Sequence, residues 1–134
     1  MKHSLQTQHL CQYQKFANDY HKTPYFLCSI FVFFIGFHIN LQSDSILRNL
    51  REQGKGYQIP RGGMFEYVSG ANHFGEILEW FGFAMASGFS IAPVSFFVYT
   101  CGNLIPRASS THEWYQTKFE DYPKHRKAVI PLIY

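Results

Sequence analysis

The sequence has few cysteines and little charge. Its three cysteines, Cys11, Cys28 and Cys101, are odd in number and far apart, with no Cys-x-x-Cys pair. Neither a disulfide framework nor a zinc site is expected, and the three read as ordinary buried thiols. The string His112-Glu113-Trp114-Tyr115 does not open a zinc helix, because HExxH needs a second histidine where Gln116 stands. No metal site is expected. Charged residues are 16% of the chain and the net charge is +3. The basic residues are spread among aromatic and acidic ones rather than forming a run, so no nucleic-acid partner is expected. Residues 1–23 are polar and contain no apolar core, which excludes a secretory signal peptide within them. Internal repeats and low-complexity segments are also absent.

What is abundant is apolar ring surface. Hydrophobic residues make up 46% and aromatic residues 19% of 134 residues, with 14 Phe and 9 Tyr. One domain of this size cannot bury that much aromatic surface in a small soluble core, so lipid or a protein partner is expected to cover part of it. Residues 24–41 (PYFLCSIFVFFIGFHINL) are almost wholly apolar and approach the ~20 residues that a spanning helix needs. Phe26, Phe31, Phe33, Phe34 and Phe37 point in every helical direction, as they would in lipid.

Residues 42–71 are polar and rich in glycine, and they read as a structured loop after a short helical extension. Residues 77–101 are apolar again and read as two helices joined by a tight turn over residues 88–93. The expected fold is all-α: a polytopic membrane helical bundle with about three transmembrane helices. On this arrangement the loop and the tail after Cys101 share a side. They carry Arg48, Arg51, Lys55, Arg61, Arg107, Lys118, Lys124, Arg126 and Lys127, against Lys2, Lys15 and Lys22 opposite. The positive-inside rule places the loop and tail in the cytosol.

Two polar stripes are candidates for chemistry. Asn40, Asp44, Arg48 and Arg51 recur at helical spacing, lining one face of a helix that leaves the membrane. Such a stripe suits a polyanionic cofactor, since Arg offers forked donors to phosphate while Asn and Asp fix ribose or amide groups. It equally suits an interfacial helix whose arginines meet lipid headgroups, with Asp44 paired to Arg48. The second stripe, Asn72, Glu76 and Glu79, opens an apolar helix. Carboxylates at that depth face a bundle interior, serve a ligand or pair with a base, here Arg61 or Arg107. Arg61-Gly62-Gly63 reads as a plain turn, and Tyr122-Pro123-Lys124 as an aromatic-proline turn near the interface. No nucleophile with a plausible base stands out. The residues alone lead to a membrane domain with polar groups converging on a cytosol-facing cavity.

The run Gly56-Tyr57-Gln58-Ile59-Pro60-Arg61-Gly62-Gly63-Met64-Phe65-Glu66-Tyr67 and the strings Gly75-Glu76-Ile77-Leu78-Glu79-Trp80, His112-Glu113-Trp114-Tyr115 and Lys118-Phe119-Glu120-Asp121-Tyr122-Pro123 closely resemble the steroid 5α-reductase signature. The resemblance covers residues 10–134 as a carboxy-terminal, cofactor-binding domain and leaves residues 1–9 as a polar tail. It implies half of a seven-helix enzyme, multi-pass in the endoplasmic reticulum membrane with its cofactor side cytosolic. The implied reaction is NADPH-dependent reduction of the Δ4 double bond of 3-oxo steroids, hydride to C5 and proton to C4. In the family, the residues matching Asn40, Asp44, Arg51, Tyr57, Asn72, Glu76, Arg107 and Tyr115 are associated with cofactor binding. The implied partners are a steroid or other lipid substrate and membrane lipids.

Two departures accompany the resemblance. Thr111 stands where vertebrate members carry a second histidine beside the one matching His112. Members are also about twice this long, and the Glu and Tyr that engage the steroid carbonyl lie in an amino-terminal half that this sequence lacks, so no catalytic residue is assigned here and a truncated chain is expected. The trans-2-enoyl-CoA reductases are similar in the tail, and a non-catalytic membrane protein that keeps the cofactor-side fold is a further alternative.

Overall fold

The computed structural model describes residues 23–134, and all regular structure there is helical. The expected tail over residues 1–9, and with it Cys11, Lys2, Lys15 and Lys22, lies outside the described residues. Helix α1 (Pro24–Glu52) starts where the Thr23 hydroxyl accepts from the Phe26 N–H at 3.3 Å and Pro24 occupies the first turn. It runs well past the expected extension, so the loop is shorter than residues 42–71. A 3-10 turn (Gly63–Glu66) precedes α2 (Ala71–Ala86), and α3 spans Ile91–Lys118. The turn between α2 and α3 covers residues 87–90. Gly88, at φ 67, donates to Met85 O, and Phe89 donates to Ala84 O at 2.9 Å, a Schellman closure that needs the left-handed backbone glycine accepts easily. Pro93 therefore lies inside the first turn of α3, where its missing N–H has no intrahelical role, and not in the connecting turn.

Helices α1 and α2 pack antiparallel with their backbones nearly touching. A Cβ on Gly36 would stand 2.6 Å from Gly75 O, one on Gly75 2.6 Å from Asn40 N, and one on Gly82 2.6 Å from Phe33 N. Ser29, Gly36 and Ser43 on α1 recur every seven residues and are buried, as are Gly75 and Gly82 on α2. Small residues at this spacing allow the close approach that drives helix association where the surroundings are as apolar as the side chains. Aromatic rings close the hairpin of α2 and α3: Trp80 lies 4.3 Å from Phe96 and Phe81 5.6 Å from Phe97 between centroids.

Among the described residues one helix, α1, is long and apolar enough to cross a membrane, and 11% of its most apolar stretch is buried within the chain. Leu27, Phe31, Phe34, Phe37 and Leu41 all remain exposed. Helix α2, with 16 residues, is shorter than the ~20 of a perpendicular span. Helix α3 joins an apolar first half to a polar second half carrying Arg107, His112, Glu113 and Lys118. The expected burial of cysteines does not extend to Cys28, which is exposed on α1.

The tail after α3 folds back onto the segment before α2. Ser69 N donates to Lys127 O and Lys127 N to Tyr67 O, each at 2.9 Å, forming a parallel bridge between Val68 and Lys127, and Gly70 N donates to Ala128 O at 2.9 Å beside it. Tyr122 and Val129 are buried as a result. Arg126, counted above among the cytosolic surface charges, is 2% exposed. Its Nη1 donates to Pro60 O at 2.9 Å and its Nη2 lies 4.0 Å from the exposed Glu66 carboxylate. Nε and Nη2 have no hydrogen-bond partner, so most of the favourable contribution of this side chain is packing plus one bond. Arg126→Ala, which empties that volume and orphans Pro60 O, is expected to cost about 2–4 kcal/mol. Arg126→Met, which keeps the volume and removes the buried charge, is expected to cost clearly less. Thermal unfolding of both variants in detergent checks the order.

Candidate functional site

The two stripes meet along one side of the small-residue seam. Asn40 Nδ2 donates to Glu79 Oε1 at 3.0 Å, which ties the inner ends of both stripes together and answers the Glu79 carboxylate with an amide rather than with Arg61 or Arg107. Helical spacing from Asn40 carries Asp44 and Arg51 outward along α1, and from Glu79 carries Glu76 and Asn72 outward along α2. Because the helices are antiparallel, both series run toward the same end. Glu76 and Asn72 are half-buried, and their side chains make no hydrogen bond to another described residue. Asp44 is exposed, and among the described residues the ion pair within 4.0 Å is Arg126 with Glu66, so no Asp44–Arg48 pair forms.

Helix α3 carries Arg107 and α1 carries Asp44; His73, in the first turn of α2, is half-buried and feels the charges of both. Further out, the charge of Arg51 acts on Tyr115, whose phenol is raised above its ordinary value of 10.0 by burial first and by Tyr122 second. Tyr57 reaches the same region from the loop, its ring 5.1 Å from Trp114, which is itself 5.2 Å from Tyr115. Of the eight candidates, the structure joins Asn40 to α2 through Glu79 and brings Tyr57 and Tyr115 against Trp114, while Asp44, Arg51, Tyr57 and Arg107 are exposed. An open cavity of about 550 Å³ lined by Ile46, Leu50, Tyr57, Ile59, Arg61 and Phe119, with further residues, shares only Tyr57 with them. Its α1 residues Ile46 and Leu50 point away from the Asn40, Asp44 and Arg51 stripe, so the cavity and the stripe are separate surfaces.

Behind Tyr115 is a buried polar cluster that local patterns did not reveal. Ser69 Oγ contacts His112 Nδ1 at 2.6 Å and also bonds the Tyr122 hydroxyl, while Gln116 Nε2 lies 3.0 Å from His112 Nε2. Burial lowers the His112 ring below its ordinary 6.5, Glu113 opposes this and Lys127 adds to it. The sign follows directly: below 6.5 the unfolded chain takes up the proton first, so the His112 contribution is neutral at higher pH and becomes destabilising as pH falls through that value. Lowering the pH from about 7.5 to about 5.5 is expected to reduce the melting temperature more in the wild type than in His112→Gln, as read by thermal scans in detergent.

The sequence model of the family described as 3-oxo-5-alpha-steroid 4-dehydrogenase matches residues 2–134. Over 130 residues, 96% of this chain, the sequence is 50% identical to 3-oxo-5-alpha-steroid 4-dehydrogenase 1 of Rattus norvegicus, of which this covers 50%. It is 51% identical over 130 residues to the protein of that name from Bos taurus, covering 96% of this chain and 50% of the relative. It is 47% identical over 131 residues to steroid 5-alpha-reductase DET2 of Solanum lycopersicum, covering 97% of this chain and 51% of the relative. The chain spans about half the length of these relatives. Because the match runs through the whole three-helix frame, the polar stripes and the returning tail, the chain belongs to the 3-oxo-5-alpha-steroid 4-dehydrogenase family.

Proposed function

We propose that residues 10–134 form the NADPH-binding domain of an enzyme that reduces the Δ4 double bond of 3-oxo steroids. The carrying observation is the pair Asn72 and Glu76, half-buried on α2 with side chains that make no hydrogen bond to another described residue. Half-buried polar groups of this kind are stable only with a solvent or ligand partner. The donor set fits a dinucleotide. Arg51 and Arg107 offer planar forks to phosphate oxygens, Asn40 and Asn72 offer amide groups, and Asp44 and Glu76 accept from ribose hydroxyls. Tyr57 and Tyr115 flank the proposed site with aromatic surface, and the raised phenol of Tyr115 keeps its proton available for donation.

NADPH, when bound, supplies the hydride that adds to C5 while a proton adds to C4. The Asn40–Glu79 bond holds α1 and α2 in register beneath the proposed site, so the cofactor-facing groups share one rigid frame. The apolar faces of α1 and α3 suit a bilayer, the endoplasmic reticulum membrane in this reading, and the basic loop and helix end support a cytosolic cofactor side. The substrate is a 3-oxo-Δ4 steroid, polarised at its carbonyl by groups in the amino-terminal half of the family enzyme. This chain alone is therefore expected to bind NADPH without turnover, since a positioned proton donor contributes about 10²- to 10⁴-fold. The test supplies the purified chain with deuterium-labelled NADPH and a 3-oxo-Δ4 steroid. Rapid label transfer to C5 would place the polarising acid within this chain and contradict that division of labour.

A further inference from the structure

Resting on the cofactor reading above, we propose that Ser69, His112 and Tyr122 act as a positioning unit that fixes the ring of Tyr115 and so sets the affinity of the proposed site for its nicotinamide cofactor. Three segments meet in this unit. Ser69 precedes α2, His112 lies on α3 and Tyr122 lies in the returning tail, at separations of 43 and 53 residues from the serine. Ser69 is 4% and Tyr122 5% exposed. Two buried hydroxyls and a half-buried imidazole are costly unless they bond one another, so their mutual geometry is tightly held.

The Tyr122 ring then serves as a platform. Tyr115 stacks on it with centroids 5.3 Å apart and planes within 5°. The Arg126 guanidinium also lies against Tyr122, 5.4 Å from the ring centroid. A phenylalanine at position 122 could stack equally well, but it would be free to slide and rotate in its plane. The hydroxyl bond to Ser69 removes that freedom, and His112 fixes the serine in turn. His112 and Tyr115 are three residues apart on α3, so both rings project from the same side of the helix toward Tyr122, and His112 meets it edge-on at 6.0 Å. With Gln116 Nε2 donating to His112 Nε2, the ring proton sits on Nδ1 and points at Ser69 Oγ. The unit thus ends in a defined tautomer.

The experiment uses the full chain purified in detergent with ¹³C-labelled tyrosine, comparing wild type, Tyr122→Phe, Ser69→Ala and the double variant. The Tyr115 signal is assigned by its loss in Tyr115→Phe, and circular dichroism confirms that each variant is folded. Both single variants are expected to move the Tyr115 signal and to weaken NADPH binding about three- to tenfold, the scale of one buried hydrogen bond. The double variant is expected to be no worse than the weaker single, because either change breaks the same chain. An unmoved Tyr115 signal in both folded single variants overturns the proposal, and so does a moved signal with unchanged NADPH affinity. Failure of the wild type to bind NADPH overturns the cofactor reading and the affinity half of the proposal, while a moved Tyr115 signal in that case still supports the positioning half.

Discussion

Gly75→Leu is expected to separate α1 from α2 and leave no cooperatively folded protein in detergent, and Gly75→Ala already to cost about 3 kcal/mol or more. At this position a Cβ would stand 2.6 Å from Asn40 N and 2.8 Å from Gly36 O. Both are backbone atoms inside a helix, so no rotamer change relieves the clash and one helix must move bodily. Movement breaks the seam along its length and pulls Asn40 from Glu79. Gly36→Ala tests the other side of the same contact and should behave alike, because its Cβ would meet Gly75 O at 2.6 Å. Gly102→Ala is the control. Nothing lies within 4 Å of a Cβ there, so the change should stabilise α3 by up to about 1 kcal/mol through its helix propensity. Detergent unfolding curves for the four variants decide the matter. Equal stability of Gly75→Ala and wild type would contradict the backbone contact on which the proposed site rests.

The second large effect concerns binding. Asn72→Ala and Arg51→Met are each expected to weaken NADPH binding about 10- to 100-fold, the range for hydrogen bonds to charged or buried groups, with little change in melting temperature. The separation of the two readouts follows from the structure. The Asn72 side chain makes no hydrogen bond to a described residue and Arg51 is exposed at the end of α1, so neither holds the fold together. Asn40 differs, because it is committed to Glu79, and its replacement should lower stability and affinity together. Titration of cofactor fluorescence against each folded variant distinguishes the classes. Wild-type affinity in both Asn72→Ala and Arg51→Met would remove those residues from the site.

How far these features were legible in the sequence depends on the range of the contact behind each. Helix α1 was legible because an unbroken apolar run meets a proline and a capping threonine at one end, all within a few residues. The polar stripes were legible because helical spacing alone puts Asn40 in line with Asp44 and Arg51, and Asn72 in line with Glu76 and Glu79. That the stripes face one another was not, since it depends on Gly36 and Gly75 meeting across 39 residues of chain, the separation that also joins Asn40 to Glu79. The extent of α3 was misjudged because the apolar stretch was read as ending at Cys101, yet the helix continues through Pro106 to Lys118. The burial of Tyr122 and Arg126 was invisible because it follows from the tail pairing with residues 67–70, and a single bridge of that kind leaves no periodic pattern. His112 was weighed as a metal ligand and set aside, while its bond to Ser69 required the fold.

The measurement that tests the account most directly is equilibrium binding of NADPH, with NADH alongside, to the purified chain in detergent. Saturable NADPH binding with weaker NADH binding is the predicted result, because Arg51 and Arg107 give the proposed site forked donors that suit an additional phosphate. No saturable NADPH binding by the folded chain would contradict it.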